Sequence, residues 1–142
     1  MALALSLATL GAIVGLSASA VWPSDAAARA HQLSRAQCRA AAIGVPKAAA
    51  RWAGLVNHWW SKWHWKVRYH GITGAELHKA LLICWRESRG LARARNSSSG
   101  CAGLFQLQPA YARGRYNLMR PLTNISLAGQ LFARRGWSPW AL

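Results

Sequence analysis

Carboxylates are what this chain has least of. Its 142 residues carry 18 Lys and Arg against three acids, Asp25, Glu76 and Glu87, for a formal net charge of +15. Most glycosidases place two carboxylates about 5–10 Å apart. Glu76 and Glu87 fall on one predicted helix, where their spacing corresponds to about 16 Å. Asp25 lies in an N-terminal stretch read below as a removed leader or a tether. A two-carboxylate site is therefore excluded, and any carboxylate chemistry rests on one residue. Cysteine is scarce as well: Cys38, Cys84 and Cys101 form no CxxC pattern, and the five histidines form no ligand set. No metal site and no cofactor are expected. Phenylalanine occurs twice, so the large apolar side chains must come mostly from the nine tryptophans.

The length allows one domain with a modest core. The strong positive charge seeks polyanions: nucleic acid, anionic lipid, or the teichoic acids and peptide carboxylates of a bacterial wall. No nucleic-acid-binding motif is present. Residues 1–21 carry no charge and are rich in Ala, Leu and Gly. With Ala18-Ser19-Ala20 and Ala28-Arg29-Ala30 as small-x-small sites, residues 1–30 read as a secretory signal. No Lys or Arg precedes the apolar run, and about 20 apolar residues also suffice for a membrane anchor. Export would permit a disulfide. A bridge from Cys84 to Cys101 would pin the intervening loop and contribute about 3 kcal/mol in the chain-entropy model. Three free thiols are the alternative.

Residues 31–70 form a basic, tryptophan-rich segment. Ala and Arg favour a helix from Ser34 to Ile43, with Ser34 as its cap. Trp52, Leu55, Val56, Trp59, Trp60 and Trp63 recur at helical steps, whereas Trp63, Trp65, Val67 and Tyr69 alternate as in a strand. Aromatics among cations suit sugars, bases or lipid interfaces, and equally suit a packed core.

Residues 71–142 carry the chemistry. Thr73-Gly74-Ala75-Glu76 reads as a capping box, which gives Glu76 a structural task. Leu77, Leu81, Cys84 and Trp85 share one face of a helix from Gly74 to Glu87 or Ser88, and Gly90 ends it. Glu87 follows the apolar run Leu81–Trp85 and precedes a polar, glycine-punctuated loop. Burial there would disfavour its charged form and suit it to act as a general acid. An exposed Glu at a helix end is the plainer alternative.

Glu87-Ser88, Ala94, Ser97 and Gly100-Cys101-Ala102-Gly103-Leu104-Phe105-Gln106 together resemble the core motif of the lysozyme-like lytic transglycosylases. Pro121-Leu122-Thr123-Asn124-Ile125 is similar to the family's Pro-x-x-Asn-Ile segment. Gly136-Trp137-Ser138-Pro139-Trp140 resembles the ending of many phage and actinobacterial members. The resemblance implies a mainly α, small lysozyme-like domain with a short loop or hairpin facing the catalytic helix. It implies cleavage of the peptidoglycan bond between N-acetylmuramic acid and N-acetylglucosamine by one Glu. That Glu serves as acid and then as base, and the product is a 1,6-anhydro sugar. It implies Glu87 as the catalytic group and Ser88, Ser97, Gln106 and Asn124 as groups near the substrate. Trp137 and Trp140 are a sugar platform or core, Tyr111 and Tyr116 are softer candidates, and Asn124 is alternatively a helix cap. Arg89 and Arg120 depart from the residues common in the family. The implied setting is the cell envelope, secretion or a phage particle, with peptidoglycan and anionic wall polymers as partners. A lysozyme-type hydrolase and a non-catalytic wall- or membrane-binding protein are the alternatives.

Overall fold

The computed structural model describes residues 32–62 and 72–141. Expectations for residues 1–30, for Trp63 and Trp65, and for the alternating stretch to Tyr69 lie outside the described residues. The described residues form six α-helices: α1 Arg35–Ala41, α2 Lys47–Ala50, α3 Ala53–Ser61, α4 Gly74–Ser88, α5 Pro109–Ala112 and α6 Pro121–Arg135. A 3₁₀ turn, Ser138–Trp140, follows α6. The fold is mainly α, and the described residues contain no strand, only two isolated bridges.

Local chemistry accounts for most helix starts. Ser34 accepts from the Gln37 N–H at 3.2 Å, and Gln37 Oε1 accepts from the Ser34 N–H at 2.8 Å, a reciprocal capping box. Thr73 and Glu76 repeat the arrangement at α4. Pro121 occupies the first turn of α6, where a missing N–H costs nothing. Helix α6 thus begins before Asn124, the residue alternatively read as its cap, and Arg120 takes the cap position. At the far end of α4, Arg89 adopts a left-handed conformation and Gly90 follows at φ 73°. A Cβ at Gly90 would overlap the Ala48 carbonyl. The Gly90 carbonyl accepts from Trp52 Nε1 at 3.0 Å and Arg51 Nη2 at 3.2 Å. Only glycine lets α2 approach the end of α4 this closely.

Helix α3 lies between α4 and α6, and α1 and α2 pack on α4. Its buried positions, Ala53, Val56, Asn57, Trp60 and Ser61, recur at three- and four-residue steps. Trp60 centres the core: its ring stacks on Phe132 at 4.9 Å and lies 5.5 Å from Phe105 and 6.3 Å from Trp140. Its Nε1 donates to the Ile125 carbonyl at 3.1 Å. Helices on both sides of residues 63–71 therefore share one core.

The loop between α4 and α5 folds back twice on Ala102. Asn96 N donates to Cys101 O at 2.8 Å, and Ala102 and Leu107 exchange two backbone bonds of 3.1 Å. The loop is held by two isolated bridges and contains no regular strand. Asn124 fastens it. Its Oδ1 accepts from the Phe105 N–H at 2.9 Å, while its Nδ2 donates to Ala102 O at 3.0 Å and Leu118 O at 2.9 Å. Gly103 lies against this amide at φ 82°, and a Cβ there would overlap Asn124 Nδ2 and Leu118 O.

Asn124→Ala strands the Phe105 N–H and the Leu118 carbonyl and takes one of two donors from the Ala102 carbonyl, which keeps the Leu107 N–H, so we expect a loss of about 3 kcal/mol. Asn124→Asp should cost at least as much, because an oxygen then faces two carbonyl oxygens. Gly103→Ala should be comparably destabilising through overlap at a positive φ. Urea denaturation of the three variants checks this; losses below about 1 kcal/mol would contradict the role given to Asn124.

Candidate functional site

Glu87 sits on the last turn of α4, where the apolar face of the helix gives way to solvent. Its side chain is 25% exposed. Arg86 grips one carboxylate oxygen through Nη2 at 2.6 Å and Nε at 3.0 Å. The same Nη2 donates to the Trp140 carbonyl at 2.6 Å. The apolar enclosure expected around Glu87 is therefore replaced by an ion pair with its own sequence neighbour. The physical reason is helical direction: the buried face of α4 runs through Leu77, Ala80, Leu81 and Cys84 to Ser88, and position 87 falls beside it. Glu76 is engaged in the cap through Oε2, which accepts from Thr73 N at 2.8 Å and Thr73 Oγ1 at 2.9 Å.

The tie through Trp140 connects Glu87 to the loop. Trp140 Nε1 donates to the Phe105 carbonyl at 3.0 Å. Phe105 in turn is held by Asn124. So the Gly103–Gln106 segment, the C-terminal 3₁₀ turn and the end of α4 form one hydrogen-bonded chain.

No protein-family model, curated protein or solved structure matches the sequence.

The remaining predicted site residues divide by burial. Asn124 is fully buried with both amide atoms bonded to backbone, which makes it a loop anchor and neither a substrate contact nor a helix cap. Ser88 is also buried, and its hydroxyl donates to the Cys84 carbonyl at 2.8 Å. Trp140 is core, not platform, since its ring faces Phe105 and Trp60. Trp137 is half-buried, 4.4 Å from Phe132, with Lys79 Nζ 4.8 Å above its ring. Gln106 is half-buried at φ 45°, its Nε2 donating to Gly103 O at 3.0 Å and Ala94 O at 3.2 Å. Ser97 is exposed at the loop tip, beside Asn96, whose Oδ1 accepts from Ser98 N and Ser99 N. Tyr111 belongs to a different surface, lining a cavity with Tyr116. Arg86 was missed by sequence reasoning. Its adjacency to the one uncommitted acid of this half was the available signal.

The three cysteines are free. The predicted bridge from Cys84 to Cys101 is not formed: Cys84 is buried in the core with its thiol 4.0 Å from Ser88 Oγ. Cys101 lies half-buried in the loop. Among the described residues no three His, Cys, Asp or Glu side chains gather as a metal set, and no helix is long and apolar enough to cross a membrane.

Burial pushes the Cys84 thiol up to about 11, against 9.0 for an ordinary one. A raised folded value contributes stability in full below the unfolded value, and that contribution is lost as pH rises through the folded one. The advantage of wild type over Cys84→Ala should therefore shrink between pH 9 and about 11 in paired denaturation curves. In folded protein at pH 8, a maleimide should label Cys101 and leave Cys84 untouched until denaturant is added. Prompt labelling of Cys84 would refute its placement.

Proposed function

We propose that the protein cleaves peptidoglycan as a lytic transglycosylase, with Glu87 as the single acid and base. The observation that carries this reading is the isolation of Glu87. It is a partly accessible carboxylate at the end of a helix that the loop braces, while Glu76 is consumed by its cap. A glycan-cleaving site with one carboxylate needs a nucleophile that requires no second one. The substrate's own hydroxymethyl group supplies it.

In the first half-reaction the protonated Glu87 gives its proton to the oxygen joining N-acetylmuramic acid to N-acetylglucosamine. The bond from the muramoyl anomeric carbon to that oxygen breaks, and N-acetylglucosamine leaves with a free hydroxyl. The Glu87 carboxylate then takes the proton from the muramoyl C6 hydroxyl as its oxygen bonds to the anomeric carbon. The product is a 1,6-anhydro ring, and Glu87 ends protonated as it began. No water is consumed. Arg86 is positioned to steady the carboxylate between the two steps. The basic surface would hold the protein on an anionic wall, less firmly as salt rises.

The Arg86 pair also favours a second reading, in which Glu87 fixes the C-terminal turn and the protein binds the wall without cutting it. The two readings separate on Glu87→Gln. If Glu87 is the acid and base, release of soluble fragments from purified peptidoglycan should fall about a hundredfold or more. Stability should change by at most about 1 kcal/mol, the worth of an exposed ion pair. Mass spectrometry of the wild-type digest should find 1,6-anhydromuramic ends; reducing ends would identify a hydrolase. Retained cleavage by the variant, or no cleavage by folded wild type, would sink the enzymatic reading.

A further inference from the structure

A cavity of about 350 Å³ opens between α5, the turn after it and the outer face of α6. Its floor is apolar, with Leu131 buried and Leu127 half-buried. Tyr111 and Tyr116 line it, and Arg113, Arg115 and Arg134 stand exposed around it. Gln130 adds an amide that both donates and accepts. Arg135 reaches Tyr111 Oη at 3.5 Å, which brings a fourth guanidinium to the rim.

Among the described residues no carboxylate answers these cations. Glu76 is in its cap, Glu87 is paired with Arg86, and none of the four arginines joins an ion pair among the described residues. The turn keeps two of them together: Arg113 at φ 48° and Gly114 at φ 66° are consecutive left-handed residues, and Arg115 follows. Like charges around one concavity repel, and an anion seated among them reverses that balance.

We propose that this cavity binds a phosphate-bearing sugar. Guanidinium groups take phosphate through paired N–H donors. The tyrosine rings and the leucine floor suit the apolar face of one sugar ring, and Gln130 suits a hydroxyl or acetamido group. The volume is at the small end of ligand sites, enough for one ring and one phosphate. A free sugar phosphate and a unit of a sugar-phosphate polymer present the same chemistry. The proposal is independent of the cleavage reading, because Glu87 does not line the cavity.

Calorimetric titration of the full chain tests it, with glucose 1-phosphate, glucose, inorganic phosphate, adenosine monophosphate and a glucose-phosphate polymer as probes. Glucose 1-phosphate should bind at least about tenfold more tightly than glucose or inorganic phosphate. Arg113→Gln with Arg134→Gln should weaken it about tenfold or more. Arg35→Gln with Arg39→Gln, which removes the same charge from α1, should leave it unchanged, as should Glu87→Gln. Tyr116→Ala should weaken the sugar phosphate and spare inorganic phosphate. Binding of the polymer at the same site would mark a polymer unit as the source, and binding of the monomer alone would mark a free metabolite. Equal losses from both arginine pairs would reduce the effect to net charge and overturn the proposal. So would inorganic phosphate binding as tightly as the sugar phosphate, tighter binding of the nucleotide, or no binding to folded protein.

Discussion

The structure depends on one buried amide. Asn124 sits in the first turn of α6 with no exposure to water, and a polar group so placed must be bonded within the protein. It meets that demand with three backbone groups from two loop segments, at Ala102, Phe105 and Leu118. The consequences spread outward. Residue 103 must be glycine, because the amide and the Leu118 carbonyl leave no room for a side chain. Leu104 and Phe105 are delivered to the core, and Gln106 is driven to a left-handed conformation. The Phe105 carbonyl then receives Trp140, the Trp140 carbonyl receives Arg86, and Arg86 holds Glu87. The position of Glu87 is thus settled partly by an asparagine 37 positions away in sequence, counting from Glu87 to Asn124.

The scarcity of acids shapes the rest of the surface. With 18 basic side chains and three acids, most cations have no carboxylate to meet. Tryptophan faces take part of that load. Arg51 lies 4.7 Å from the Trp52 ring, Lys62 and Lys79 each 4.8 Å from Trp59 and Trp137, and Arg89 5.1 Å from Trp85. Each such contact is worth about 0.5–1 kcal/mol at an exposed site. The same residue type that fills the core at Trp60 and Trp140 therefore also seats charge at the rim. The arginines between α5 and α6 fall outside this scheme, since aliphatic and tyrosine side chains surround them.

By itself the sequence determined the features that depend on neighbours a few positions apart. The Thr73–Glu76 capping box, the Ser34 cap, the extent of α4, its stop at Gly90 and the helical class follow from side-chain chemistry within one or two turns. The uniqueness of Glu87 was equally legible, because it needs only a count of acids and one helical rise. The start of α6 was misplaced, since Asn124 is a good cap by type and only the loop packed against it shows that it serves elsewhere. The tertiary structure alone decided which tryptophans are core, that Cys84 faces inward away from any bridge, and that Arg86 rather than an apolar wall surrounds Glu87. It also decided that Tyr111 and Tyr116 share a cavity with cations from α6. Most of these outcomes rest on contacts between residues far apart in the chain, such as Trp60 with Phe132, Arg86 with Trp140 and Tyr111 with Arg135, where solvent exclusion and close packing set the partners and local pattern carries no record of them.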